Sequence, residues 1–177
     1  MVIYNMEFNK LATQLGEKLE AHNFMLTTAE SCTGGQVAEV VTSVSGSACW
    51  FERGFVTYSN QAKQEMLGVK TATLEKYGAV SEETAQEMAA GALLHSHAQI
   101  SIAVTGIAGP TGGSVEKPIG TVCFAWTGKS LPTQSATQHF TGDRNSIRTQ
   151  AVKYILEKII QTLTPAPLPE GEGLMLP

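Results

Sequence analysis

Two β-prone runs of this chain each empty into a glycine-rich segment, and that arrangement limits its fold more than any other feature. Met25-Leu26-Thr27-Thr28-Ala29 leads into Glu30-Ser31-Cys32-Thr33-Gly34-Gly35. Residues 99–105 lead into Gly106-Ile107-Ala108-Gly109-Pro110-Thr111-Gly112-Gly113, which is too rich in glycine for regular structure. Helical patterns fill the intervals. Phe8, Leu11, Leu15 and Leu19 recur three and four apart, as on one face of a helix that fades near His22-Asn23. A helix over residues 34–44 is expected after the first glycine pair, and a second strand over 50–58, with Gly54 as a bulge or close-approach point. Asn60 is read as the N-cap of a short helix carrying Lys63. Residues 71–77 make another helix, closed by Gly78, and Ser81-Glu82-Glu83-Thr84 opens a longer one whose Ala85, Met88, Ala89 and Ala92 form a small-residue face. Residues 120–126 and 134–140 read as two antiparallel strands. Asp143 caps a last helix with Val152, Leu156, Ile159 and Leu163 inward.

Strands alternating with helices predict the α/β class, here a single three-layer α/β/α domain. The two late strands in succession make its central sheet mixed. The domain is expected over residues 1–163. Residues 164–177, TPAPLPEGEGLMLP, hold four of the seven prolines and are expected to be a disordered tail. The chain has 177 residues, 42% of them hydrophobic and 16% charged, enough to bury a core. The net charge of −4 is spread along the chain, with no basic stripe for nucleic acid, and no apolar run approaches the roughly 20 residues of a membrane span. With no signal-like N-terminus, a cytoplasmic location is expected. Cys32, Cys49 and Cys123 fit neither a disulfide framework nor a zinc knuckle; reduced thiols are expected, with Cys49 and Cys123 in the core.

Ser31-Cys32-Thr33-Gly34-Gly35 falls where a strand turns into a helix, a usual place for a ligand in an α/β sheet. It matches neither the dinucleotide fingerprint nor the P-loop. Ser31 can be a nucleophile or simply an N-cap. A hydroxyl needs a base, and the histidines offer none: His22 and His139 read as exposed or core, and His95 and His97, two apart on a helix, face different ways. A lysine whose amine is desolvated is the remaining route, and Lys63, just past Tyr58-Ser59-Asn60 at a strand end, is the candidate. The competing reading is an ordinary solvated lysine. Arg144 and Arg148, four apart, share a helix face able to grip a phosphate or carboxylate, or to lie solvated. Tyr58 belongs either to the core or to a proton path. Glu30 is read as a cap.

Taken together, Thr28-Ala29-Glu30-Ser31-Cys32-Thr33-Gly34-Gly35, then Tyr58-Ser59-Asn60 with Lys63, then Thr105-Gly106-Ile107-Ala108-Gly109-Pro110 with Gly112-Gly113, resemble the CinA C-terminal domain family over nearly all of the chain before the tail. The enzymatic members of that family are nicotinamide-nucleotide amidohydrolases, which convert nicotinamide mononucleotide (NMN) to nicotinate mononucleotide and ammonia in pyridine-nucleotide recycling. The resemblance implies a metal-independent, cofactor-free hydrolase in which Ser31 attacks the carboxamide, Lys63 moves the proton and Tyr58 orients or relays. Backbone amides near Cys32, Thr33, Gly34 and Gly35 would hold the oxyanion, and Thr105, Gly106, Ile107, Ala108, Gly109 and Arg144 the phosphate and ribose. It also implies a homo-oligomer, at least a dimer. Larger members carry an N-terminal nucleotide-processing domain of the molybdopterin-binding type, so a chain starting at the amidase-like domain is expected to lack pyrophosphatase activity. A non-catalytic nucleotide-binding or interaction module, linked to competence or DNA damage, and an amidase for another small amide are the alternatives.

Overall fold

The structure is a computed structural model that describes residues 2–164; the sequence expected to form a tail lies, but for Thr164, outside the described residues. Helix α1 (Val2–Ala21) precedes strand β1 (Leu26–Glu30), helix α2 (Gln36–Thr42) and strand β2 (Phe51–Val56). Three helices follow, α3 (Asn60–Leu67), α4 (Thr71–Tyr77) and α5 (Glu82–Leu94), and then strand β3 (Ile100–Gly106). Strands β4 (Thr121–Gly128) and β5 (Leu131–His139) form a hairpin, and helix α6 (Arg144–Leu163) closes the fold. The sheet order is β2-β1-β3-β4-β5, parallel among the first three and antiparallel thereafter, so the sheet is mixed as expected.

The two faces of the sheet differ in bulk because side chains alternate along a strand. On β3, Ile100, Ile102 and Val104 face one way and Ala103 the other; on β4, Val122, Phe124 and Trp126 oppose Cys123 and Ala125. The bulky face packs against α1, α2 and α6 through Leu15, Leu19, Val37, Val41, Ile155, Leu156 and Ile159. Each fully buried side chain of this size removes apolar area worth about 1.5–3 kcal/mol. The small face lies under α5, whose Ala85, Met88, Ala89 and Ala92 are all buried. Small residues on both surfaces bring that helix close to the sheet. At its far side α5 meets α3, and Gly91 is the point of contact: a Cβ there would stand 1.8 Å from the Leu67 carbonyl oxygen.

Several local expectations shift. Helix α2 begins at Gln36, two residues late, because Gly34 and Gly35 have φ of 59° and 95°, which a right-handed helix cannot use. Ser59, not Asn60, caps α3 by accepting from the Ala62 amide. The irregularity in β2 falls opposite Leu26/Thr27, at its start; Gly54 is instead the close-approach point, with Thr28 Oγ1 2.8 Å from where its Cβ would be. Cys49 is exposed in a short 3₁₀ turn, Ser47–Cys49, while Cys123 is buried. His95 and His97 lie beyond α5, which ends at Leu94. Among the described residues no helix is long and apolar enough to cross a membrane.

Candidate active site

Strand order decides where a cleft opens. From the carboxyl end of β1 the chain turns toward β2, and from that of β3 it turns the opposite way toward β4, so a crevice forms between the two loops. Backbone bonds lock the three strand ends together there. The Ser31 amide donates to Val104 O at 2.9 Å and the Thr57 amide to Glu30 O at 2.8 Å. A cavity of about 320 Å³ occupies this crevice.

Inside it the Lys63 amine lies 3.0 Å from Ser31 Oγ. Lys63 is 1% exposed although it sits on the second turn of α3, because its stem runs inward beneath the end of β2. Its Nζ also donates to the carbonyl of Thr57 at 2.9 Å and, at the long distance of 3.5 Å, to that of Tyr58. No carboxylate faces it within ion-pair distance among the described residues. Burial therefore holds its pKa below the ordinary lysine value. A neutral amine in this position has two N–H bonds for the two carbonyls and a lone pair left for the serine O–H. That is the arrangement of a nucleophile with its base.

Cys32, next to Ser31, is the competing nucleophile on chemical grounds. Burial pushes its thiol up to about 12, with the self-directed backbone amide and Arg148 only partly opposing. At neutral pH it is a thiol, and the thiolate is the reactive form.

The turn itself is held by Glu30. Its carboxylate accepts from the amides of Gly35, Val37 and Ala38 at 2.9–3.0 Å, the capping role expected of it. Gly34 donates to Ser31 O at 3.0 Å. The amides of Gly34 and Gly35 are thus engaged, and those of Cys32 and Thr33 donate to no other residue among those described. Thr33, Gly34 and Gly35 do not line the cavity, whereas Cys32 does. Of the four amides expected at an oxyanion site, only that of Cys32 both belongs to a residue lining the cavity and donates to no other described residue.

The opposite wall comes from the glycine loop, with Thr105, Gly106, Ile107, Ala108 and Gly109 all lining the cavity. Thr105 donates its hydroxyl to Ala79 O at 2.7 Å, so its side chain braces the loop behind α5. Arg144 and Arg148 diverge despite sharing a helix face. Arg144 lines the cavity and donates to Gly109 O at 2.7 Å and to the Tyr58 hydroxyl at 2.8 Å. Arg148 donates to Thr33 O at 2.7 Å, behind the turn that bears Ser31. Tyr58 is 60% exposed, and its phenol rests on Arg144 rather than on the Ser31–Lys63 pair, which it meets only through its carbonyl. Asn60, Ala79, Val80, Thr111 and Gly112 also line the cavity without having been singled out. Asn60, Thr111 and Gly112 belong to the motifs quoted above; Ala79 and Val80 carry no signal in the sequence.

The comparisons agree with this architecture. The family model described as the CinA C-terminal domain matches residues 8–163. The chain is 50% identical over 155 residues to the nicotinamide-nucleotide amidohydrolase PncC of Escherichia coli K12, covering 88% of this chain and 94% of that protein. It is 48% identical over 151 residues to the protein of the same name from Pseudomonas putida, covering 85% and 94%. The crystal structure of the competence/damage inducible protein CihA from Agrobacterium tumefaciens matches with a TM-score of 0.85 at 44% identity, over 87% of this chain and 94% of that one. With a family model spanning the fold from α1 to α6, and relatives near 50% identity covered almost end to end, the chain belongs to the CinA C-terminal domain family.

Proposed function

We propose that this protein is a nicotinamide-nucleotide amidohydrolase that cleaves the carboxamide of NMN through a serine–lysine pair. The observation that carries the reading is the buried contact of 3.0 Å between Ser31 Oγ and Lys63 Nζ at the bottom of an open cleft. The names of two relatives supply the substrate: those from Escherichia coli and Pseudomonas putida are named nicotinamide-nucleotide amidohydrolases.

In this mechanism Ser31 Oγ attacks the carboxamide carbon while its proton passes to the neutral Lys63 amine. The carbonyl oxygen becomes an oxyanion facing the Cys32 amide. The C–N bond then breaks as Lys63 returns the proton to nitrogen, and ammonia leaves. Water repeats the sequence on the acyl-serine: Lys63 takes its proton, nicotinate mononucleotide departs, and the proton returns to Ser31. Charged side chains lining the cleft are Lys63 and Arg144, so the phosphate falls to Arg144, which exchanges its Tyr58 or Gly109 partner for it. Tyr58 then orients the nucleotide at the mouth rather than relaying the proton. A cytoplasmic homo-oligomer, at least a dimer, is part of the same proposal; light scattering tests the assembly.

Ammonia release from NMN is the direct assay. Wild type is expected to turn over, and Ser31→Ala to lose at least about a thousandfold in kcat, the scale of a lost nucleophile. Equal rates in the two proteins would refute the nucleophile. NMN binding without product would point to a binding module, and turnover of other amides but not NMN to a different amidase.

A further inference from the structure

Glu30 is 1% exposed, yet among the described residues no basic side chain pairs with it. Its charge is met by backbone. Oε2 accepts from Gly35 and Val37 at 3.0 Å each, and Oε1 from Ala38 at 2.9 Å. A capping side chain ordinarily comes from the residue just before its helix. This one reaches over five to eight residues, from the last position of β1 across the turn that bears Ser31. Three charge-assisted bonds therefore tie the two ends of the nucleophile turn to each other.

Two consequences follow for the chemistry. The start of a helix is a ready anion site, but here an internal carboxylate occupies it, so neither oxyanion nor phosphate can use those amides. What remains is the peptide joining Ser31 to Cys32. Its carbonyl accepts from Gly34, which polarises the same peptide and strengthens the Cys32 N–H as a donor. The Glu30 backbone carbonyl meanwhile accepts from Thr57, whose own carbonyl accepts from Lys63. Nucleophile, oxyanion donor and base are thus referred to one residue.

We propose, resting on the amidohydrolase reading above, that Glu30 is a positioning residue: its carboxylate fixes the turn so that Ser31 Oγ faces Lys63 and the Cys32 amide faces the substrate carbonyl oxygen. It touches neither substrate nor reacting atoms. Its effect belongs to the transition state, where placement to within about an ångström is worth orders of magnitude.

Glu30→Gln keeps the shape but offers one acceptor oxygen and sets an NH2 group against backbone N–H. At a temperature where the variant is folded by circular dichroism, kcat for NMN is expected to fall at least about thirtyfold with KM within about threefold. Glu30→Asp, which keeps the charge on a shorter stem, is expected to recover part of that loss, and it carries the test alone should the glutamine variant not fold. A second readout needs no amide. A fluorophosphonate reacts with an activated serine by forming the Ser31 Oγ–P bond as the P–F bond breaks; the serine proton goes to Lys63 and fluoride leaves. Its rate is expected to fall at least tenfold in either variant.

Turnover and labelling within twofold of wild type, with only the melting temperature lowered, would overturn the proposal and leave Glu30 a helix cap. Wild type that labels but releases no ammonia would refute the NMN reading alone, and the labelling rates would still decide on Glu30. Wild type that does neither would refute both.

Discussion

Replacing Lys63 by methionine separates what the amine does for catalysis from its cost to the fold. The side chains are of similar length, so the buried stem keeps its packing. Lost are the bonds to Ser31 Oγ at 3.0 Å and Thr57 O at 2.9 Å. Leaving that carbonyl short of a partner costs about 1–2 kcal/mol. Removing an amine whose protonated form is disfavoured by burial, with no carboxylate beside it, returns several kcal/mol. The net expectation at pH 7 is stabilisation by about 1–3 kcal/mol. For a domain this size that is a melting temperature higher by roughly 2–4 °C per kcal/mol.

The gain should depend on pH. Burial lowers the Lys63 pKa in the folded state, while the unfolded chain titrates near the usual ~10.4. Below the folded value both states carry the proton and the fold bears the full cost of the buried charge. Between the two values the unfolded state binds more protons, so wild-type stability rises with pH. The advantage of Lys63→Met is therefore expected to shrink through the alkaline range toward ~10.4. Ammonia release should meanwhile drop by about 10³–10⁴, the upper range for a general acid–base group, because in the proposed mechanism one amine serves attack and departure alike. Urea denaturation from pH 7 to 10.5, beside NMN kinetics, measures both. A variant within tenfold of wild-type activity, or one destabilised by the same amount at every pH, would refute the reasoning.

Two other outcomes test neighbouring features. Iodoacetamide at pH 8 is expected to modify exposed Cys49 and spare Cys32, whose thiol is pushed up to about 12, and Cys32→Ala should keep kcat within about fivefold; peptide mass mapping finding Cys32 alkylated in folded protein would contradict the burial argument. Gly91→Ala drives a methyl group into the Leu67 carbonyl, and is expected to cost about 3 kcal/mol or more and to lower kcat in the protein that remains folded, since α3 carries Lys63. A neutral result by thermal melting would show that the helices separate easily.

The architecture was legible because period-2 burial and glycine punctuation are local properties. The bulky and small positions of residues 99–105 and 120–126 foretell a sheet covered on both faces, and the end of α6 carries its inward residues where the spacing puts them. Boundaries were less legible where neighbouring residues compete for one role. Ser59 and Asn60 are both good caps, and only the backbone geometry chooses Ser59. Cys49 was misplaced because a short apolar run gives no hint that it forms an exposed 3₁₀ turn. Nothing local shows that the Lys63 amine is buried, since lysine is ordinarily exposed; its pairing with Ser31, 32 positions away, is signalled only by the family resemblance and by both residues following strand ends. The bonds from Arg144 to Gly109 and Tyr58, 35 and 86 residues distant, depend on the finished fold, which sets the phenol beside Arg144.

Ser31 directly follows β1 and is bonded to β3 through its amide, whereas Lys63 descends from α3 in the layer on the small side of the sheet. The Ser31–Lys63 contact therefore joins the sheet to the helix layer on its small face. A slide of either layer by about 1 Å would carry 3.0 Å beyond hydrogen-bonding reach. The pressed glycine between α3 and α5 then serves as a shim: it sets how far Lys63 stands from Ser31, and substitution in that seam is expected to move the two apart as well as to loosen the fold.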